Sequence, residues 1–187
     1  MAARVERLTS ANEADFFRLH GDPDSAGWCW CVAWWTDTWE GFGDRTSAEN
    51  RRLRESLLDR DQRDGYLLYD EAAGTAGATE VVGWCQVGPR DRLTKLVSSY
   101  QLDPDPSVWA VTCFFLQPSS RGEGLATELL RSVVEDLDAQ GVAVVQGFPR
   151  RGELPPEDVW TGTEGSFVAA GFRCVLDDPK RPVFQRG

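Results

Sequence analysis

The chain has 187 residues, 41% hydrophobic and 27% charged, the balance of a soluble globular domain with a core large enough to need no covalent staples. Thirty acidic side chains against 20 basic ones leave a formal net charge of −10, which argues against nucleic acid as a partner and leaves a cationic small molecule compatible with the overall field. No apolar run approaches the ~20 residues of a membrane span, and the opening MAARVERLTS has no signal-peptide core, so a cytoplasmic chain is expected.

In chain order, Ser10 with Glu13 three residues on reads as a capping box that starts a first helix through Ala14 and Phe17. The turn-rich stretch from Gly21 to Gly27 ends it. An aromatic segment follows, Trp28-Cys29-Trp30-Cys31-Val32-Ala33-Trp34-Trp35. A second helix is predicted from Thr46 or Ser47, capped by Glu49 or Asn50, with Leu53, Leu57 and Leu58 as its apolar stripe. Tyr66 to Tyr69 and Val81 to Val87 read as two strands of a hairpin with a long connection. Val108 to Leu116 is apolar on both faces, as a central strand would be.

After Pro118 a helix is predicted from about Gly124 to Gln140, with Leu125, Leu129, Val133 and Leu137 on one face and Gly141 as its stop. Val142 to Gln146 is the next strand, a short helix fits Ser166 to Ala170, and Phe172 to Val175 and Val183-Phe184 close the chain as strands. The expected order is therefore two helices, a strand meander, helix, strand, helix, strands. This describes one α/β (α+β) domain over residues 1–187, and the strand–helix–strand unit between Val108 and Gln146 implies a parallel pair with a right-handed crossover.

The segment that carries chemistry is Arg121-Gly122-Glu123-Gly124-Leu125-Ala126, between the buried strand and the helix. Glycines there admit positive φ and close approach of a ligand. The helix start beyond them presents unpaired N–H groups and the positive end of its dipole, which suits a pyrophosphate. No Lys-Ser or Lys-Thr follows the second glycine, which excludes a P-loop. A dinucleotide fold would need a further glycine and a placed acidic residue.

Arg121-x-x-Gly124-x-Ala126 resembles the (Gln/Arg)-x-x-Gly-x-(Gly/Ala) signature of the GNAT superfamily of N-acetyltransferases. Leu116-Gln117-Pro118 is similar to that family's strand end, and Ser166 to Phe172 to its second signature, a short helix closed by Gly-Phe. A Cys-x-Cys-x-x-Trp segment at Cys29 to Trp34 and Trp160-Thr161-Gly162 are similar to a subgroup of that family. The resemblance implies a single mixed, mostly antiparallel sheet with a splayed parallel pair, flanked by helices. It implies acetyl-CoA as co-substrate, bound by a core over 108–175, with an N-terminal, tryptophan-rich helical part over 1–62 contributing to the acceptor site.

Carried over by position, the amides of Gly122, Glu123, Gly124, Leu125 and Ala126 would hold the pyrophosphate, with Arg121 on phosphate or capping the loop. The backbone of Phe115 and Leu116 would pair with the pantetheine arm, and an amide near Leu116 would polarise the thioester carbonyl. Glu123 is expected to point to solvent, since a carboxylate facing phosphate is repelled. Many members protonate the departing thiolate with a tyrosine at the position held here by Phe167, which cannot donate.

The resemblance further implies direct transfer to a primary amine of a small-molecule acceptor, with a homodimer compatible. The catalytic residues stay open. Asp103, Asp105, Glu157 and Asp158 are the candidate bases. The missing acid also admits a non-catalytic acyl-CoA-binding sensor or partner subunit. Trp28, Trp30, Trp34, Trp35 and Trp160 either line an aromatic acceptor pocket or fill the core. Cys29, Cys31, Cys85, Cys113 and Cys174 are expected as free thiols, with Cys113 in the core. Cys29 and Cys31 near His20 invite zinc, but no second ligand pair follows, so no metal is expected.

Overall fold

The computed structural model describes residues 3–22, 27–71, 79–152 and 158–187. It opens on a strand that was not predicted, β1 (Ala3–Arg7), so the chain does not begin with two helices. Two apolar side chains in five residues are too weak a pattern to signal a strand. What makes it one is its antiparallel partner β2 (Gly65–Asp70), with Val5 opposite Leu68.

The first helix, α1 (Glu13–Gly21), starts later than expected and without the Ser10–Glu13 box. Asn12 precedes it, its Oδ1 accepting from the Thr9 amide at 2.7 Å, a turn closed before the helix begins. The buried face is Phe16, Leu19 and His20, while Ala14 is exposed and Phe17 only half-buried. In α2 (Ser47–Asp59) the predicted box forms in full: the Thr46 hydroxyl accepts from the Glu49 amide at 3.2 Å, and the Glu49 carboxylate accepts from the Thr46 amide at 2.7 Å.

β2 pairs antiparallel with β3 (Glu80–Pro89), and β3 with β4 (Val108–Leu116). The connection from Arg90 to Ser107 contains a 3₁₀ turn at Arg90–Arg92 and a further helix, α3 (Thr94–Tyr100), which was not predicted. Seven residues with no side-chain cap give too little periodicity to read; burial of Lys95 and Leu96 is what holds α3. Then come α4 (Leu125–Ala139), β5 (Val144–Gly147), α5 (Glu164–Ala169), β6 (Arg173–Leu176) and β7 (Val183–Arg186). The α4 helix buries Leu125, Leu129, Leu130, Val133, Val134 and Leu137, and Gly141 follows it in the left-handed region at φ 81°.

The seven strands form one sheet in the order β1-β2-β3-β4-β5-β7-β6, antiparallel except for the β4–β5 pair. One face packs on α4 and α5, the other on α1, α2 and the aromatic 27–35 segment. This is the mixed, mostly antiparallel sheet expected.

Two local features open the sheet at its centre. First, Gln86 pairs with Cys113 but Val87 with Val111, so Thr112 is an extra residue, a bulge that bends β4. Second, β5 follows β4 only from Val108↔Val144 to Val111↔Gly147 and then leaves it. A Cβ on Gly147 would lie 2.1 Å from the Phe167 ring, so the glycine is what lets that ring sit where the strands part. Phe167 is fully buried there, edge-on to Phe114 and Phe172.

Candidate active site

Beyond Val111 the free edge of β4 is dressed by side chains and loops rather than by a strand. The Thr112 carbonyl accepts from Trp34 Nε1 at 3.3 Å, and the Phe114 amide donates to the Trp160 carbonyl at 2.6 Å. Gln117 donates to Val82 on β3, so alternation turns the Leu116 amide away from β3, to the side that Phe114 faces. The Leu116 carbonyl is taken by Arg121 Nε at 3.0 Å. Phe115, in the opposite phase, is opposite Trp84 in the ladder, and its ring stacks on His20 at 5.1 Å.

At the end of this edge lies the glycine loop. Gly122 and Gly124 adopt φ of 85° and 79°, and an added Cβ at either would meet nothing within 4 Å. Their need for glycine is therefore conformational and not a matter of space. Replacing Gly124 with alanine is expected to cost ~1–2 kcal/mol in chemical denaturation, from forcing an L side chain into the left-handed region. Among the described residues, the amides of residues 122–126 donate to no main-chain carbonyl, whereas those of Thr127 and Glu128 return to Gly124 at 3.0 and 3.2 Å. Five successive donors thus surround the helix start. Arg121, Gly122, Glu123 and Gly124 are exposed, Ala126 half-buried and Leu125 buried.

A cavity of about 570 Å³ begins at Leu116, Arg121 and Ala126 and runs along the open edge past Cys113, Phe114 and Phe115. Its far wall is aromatic: Trp28, Trp34, Trp39, Phe42 and Trp160. Trp34 lies 5.1 Å from Trp39 and 5.8 Å from Trp160, centroid to centroid, so the indoles brace one another. Trp28 and Trp39 are each 42% exposed, which makes the cleft open to solvent. Trp30 and Trp35 do not line it; Trp30 belongs to the buried core beneath. The sequence-level alternatives therefore divide: some of the tryptophans wall a pocket and others fill the core.

Two further residues shape this end of the cavity. Trp39 lies beyond the aromatic run, and Lys95 lies on α3. Lys95 is buried with its Nζ 4.0 Å above the Trp39 ring and 4.6 Å from that of Phe42. Desolvation brings its pKa down to about 8. The aromatic wall already holds one ammonium by its ring faces.

Of the three candidate bases among the described residues, Asp158 alone contributes to the cavity wall. Asp103 and Asp105 precede β4 at the opposite end of that strand. There Asp105 is held as a carboxylate below its usual range by the Ser107 hydroxyl and amide, at 2.6 and 2.9 Å. Glu157 lies outside the described residues. Asp158 is placed by its neighbours: the Val159 carbonyl accepts from Gly162 at 2.9 Å, and the Trp160 carbonyl is the one fastened to β4.

His20 also lines the cavity, and it is no base at neutral pH. Its Nδ1 is 3.1 Å from the Phe16 carbonyl, which only accepts, so Nδ1 carries the proton and Nε2 faces Cys31 Sγ at 3.4 Å. Burial pulls its pKa from 6.5 to about 3. An unfolded chain takes up this proton near 6.5 and the folded one does not, so stability rises with pH across that window and is lost on acidification. Denaturant titrations between pH 6.5 and 3 are expected to show a slope approaching ~1.4 kcal/mol per pH unit from this group, flattened in His20→Phe.

Cys113 is in the core, as expected, but also in the cavity wall, 3.3 Å from Cys31. All five cysteines are free. Among the described residues no group of His, Cys, Asp and Glu side chains is arranged to hold a metal ion, and no helix is long and apolar enough to cross a membrane. A second cleft, about 560 Å³, opens at the other end of the sheet beside Arg7, Arg63 and Arg92. These guanidiniums are engaged within the protein, with Gln140, with Glu13 and Asp61, and with Asp64 respectively.

A sequence profile described as the acetyltransferase (GNAT) family matches residues 11–148. The chain belongs to the GNAT family. GNAT structures share its fold over nearly their whole length. The PaiA N-acetyltransferase of Thermoplasma acidophilum, solved with coenzyme A, is 9% identical at a TM-score of 0.55, covering 100% of this chain and 99% of its own. A GNAT acetyltransferase of Listeria monocytogenes is 14% identical at 0.57, covering 98% and 94%. AAC(6')-Ib, solved with paromomycin and acetyl-CoA, is 18% identical at 0.58, covering 100% and 93%. Among curated proteins the sequence has no match.

Proposed function

We propose that this GNAT chain is an acetyl-CoA-dependent N-acetyltransferase that acts on a primary amine of a small molecule. One observation carries the reading: a single cavity joins the donor loop and the open β4 edge to an aromatic wall and a carboxylate. The amides of residues 122–126 and the α4 dipole fit a pyrophosphate. The Leu116 amide fits as the donor that polarises the thioester carbonyl. The aromatic wall fits an aminoalkyl or aromatic acceptor, and Asp158 fits as the group that takes the proton from its ammonium. AAC(6')-Ib, solved with paromomycin and acetyl-CoA, shares this fold; a cationic acceptor is also consistent with the net charge of −10.

The decisive assay is thiol release from acetyl-CoA over a panel of aminoglycosides, polyamines, arylamines, amino acids and peptides, alongside melting with coenzyme A. Coenzyme A is expected to raise the Tm, and at least one small amine to drive steady thiol release. No protection at millimolar coenzyme A would remove the reading entirely. Protection without release on any amine would favour the alternative, a non-catalytic acyl-CoA-binding sensor or partner subunit. Phe167 favours that alternative, since its ring is sealed in the core and offers no proton to a departing thiolate. An ordinary thiol pKa of ~8.5 makes the thiolate a fair leaving group without one.

Glu123 is exposed at the loop, so its charge acts on an anionic donor only through solvent. Glu123→Lys is expected to tighten acetyl-CoA binding at low ionic strength and to leave it unchanged in ~1 M salt, where the screening length is about 3 Å. Weaker binding in the variant at low salt would contradict this.

A further inference from the structure

The cavity contains a thiol pair that acetyl transfer does not use. Cys31 and Cys113 are 82 positions apart in sequence, yet their sulfurs are 3.3 Å apart, and both line the cavity. Cys31 is brought there by an unusual backbone: Trp30 and Cys31 are consecutive non-glycine residues in the left-handed region, with φ of 47° and 48°. Their two carbonyls are gripped by the buried Arg54, Nε to Trp30 at 3.1 Å and Nη2 to Cys31 at 2.7 Å. Strain is thus held in place where it sets one thiol against another.

We propose that Cys31 and Cys113 are an oxidative modification site, closed to a disulfide by hydrogen peroxide entering through the cavity, and that the cross-link shuts down the site. Peroxide is small and uncharged, and the cavity is open to solvent at Trp28 and Trp39. The Cys113 thiolate attacks one peroxide oxygen, the O–O bond breaks, and the hydroxide released takes up the thiol proton as water, leaving Cys113 a sulfenic acid. Cys31 sulfur then attacks Cys113 sulfur; the S–OH bond breaks and the hydroxyl leaves with the Cys31 proton as a second water. Two thiols are oxidised and one peroxide is reduced.

The sulfurs need to close from 3.3 Å to about 2.05 Å. The Cys31 thiol is held protonated by its hydrogen bond with Cys113 and by burial, so the reaction is slow and responds to sustained oxidant. Cys113 sits on β4 between the residues that anchor Trp34 and Trp160, at Thr112 and Phe114. A covalent bond there ties the 27–35 segment to the sheet midway between the donor loop and the aromatic wall.

The test treats the whole protein with hydrogen peroxide and maps its non-reduced peptides, measuring Tm and acetyl transfer in parallel. Expected are a Cys31–Cys113 peptide, a Tm raised by about 5–10 °C as a long loop is closed, and transfer reduced at least fivefold, all reversed by dithiothreitol. Cys31→Ser and Cys113→Ser each lose all three responses while remaining folded by melting. A Cys29–Cys31 linkage in place of this one, no linkage, or a linkage that leaves transfer unchanged would overturn the proposal. The shutdown rests on the transferase reading; the peptide map does not, so absent transfer in the reduced protein would count against that reading alone.

Discussion

Replacing Asp158 with asparagine is expected to lower kcat/KM by about 10²–10⁴-fold, the usual contribution of a positioned general base, while leaving coenzyme A protection against melting unchanged. Among the described residues lining the cavity, Asp158 is the one carboxylate and His20 the one imidazole. His20 is held neutral, its Nε2 turned to Cys31 and its pKa near 3, too low to take a proton from an ammonium at pH 7. The thiols of Cys29 and Cys31 stay protonated, Cys29 through its hydrogen bond to Cys31 and Cys31 through its bond to Cys113, with burial adding to both. Asparagine keeps the size of Asp158 and removes only the proton acceptor, so a fall in kcat/KM with intact coenzyme A binding separates chemistry from folding. Full activity in Asp158→Asn would send the search for the base to ordered water.

Arg54→Ala is expected to cost about 3–5 kcal/mol in chemical denaturation, the largest effect of any single substitution proposed for this chain. Arg54 is fully buried on α2, and among the described residues no carboxylate is hydrogen-bonded to it. Its charge is instead compensated by the Trp30 and Cys31 carbonyls, by Gln86 Oε1 at 2.9 Å, and by the faces of Phe16, Trp35 and Trp84 at 5.1, 5.2 and 5.9 Å. Desolvation lowers its pKa from the ordinary arginine value. Truncation removes the Arg54 donors from two strained carbonyls and leaves a void among three rings, so both the orphaned-acceptor and cavity terms apply. Since those carbonyls fix the segment that carries Cys31 and leads into Trp34, the variant is also expected to lose acceptor affinity more than coenzyme A affinity. Arg54→Lys, which keeps the charge but not the fork, should restore only part of the stability. A loss below ~1 kcal/mol in Arg54→Ala would mean that the segment holds its shape unaided.

The glycine-loop end of the cavity was legible in the sequence as one motif, whereas its aromatic end was legible only as alternatives, with Trp28, Trp34 and Trp160 among the candidates for either a pocket or the core. Gly122, Gly124 and the α4 stripe of Leu125, Leu129, Val133 and Leu137 are a local pattern: a turn that requires positive φ, followed at once by a helix with one apolar face. Such patterns survive in one dimension because neighbours in sequence are neighbours in space. The Thr46–Glu49 cap on α2 was readable for the same reason. Ser10 and Glu13 carry the same letters and formed no cap, because Asn12 captured the turn before the helix. Local signals compete, and residue identity alone does not rank them.

What composition and periodicity determined was the class of fold, the central strand Val108 to Leu116, the loop after it, and the helix that presents free amides. Tertiary structure alone decided that β1 exists, that β7 enters the sheet between β5 and β6, and that α3 carries a buried lysine under the aromatic wall. It also decided that Asp158 reaches the cavity, that Asp103 and Asp105 do not, and which thiols touch. The division has a physical cause. Helix caps and glycine turns are fixed by bonds spanning three or four residues, whereas the aromatic end of the cavity is assembled from segments near residues 20, 30, 40, 95, 113 and 160. Their meeting is set by the pairing and bending of the sheet beneath them.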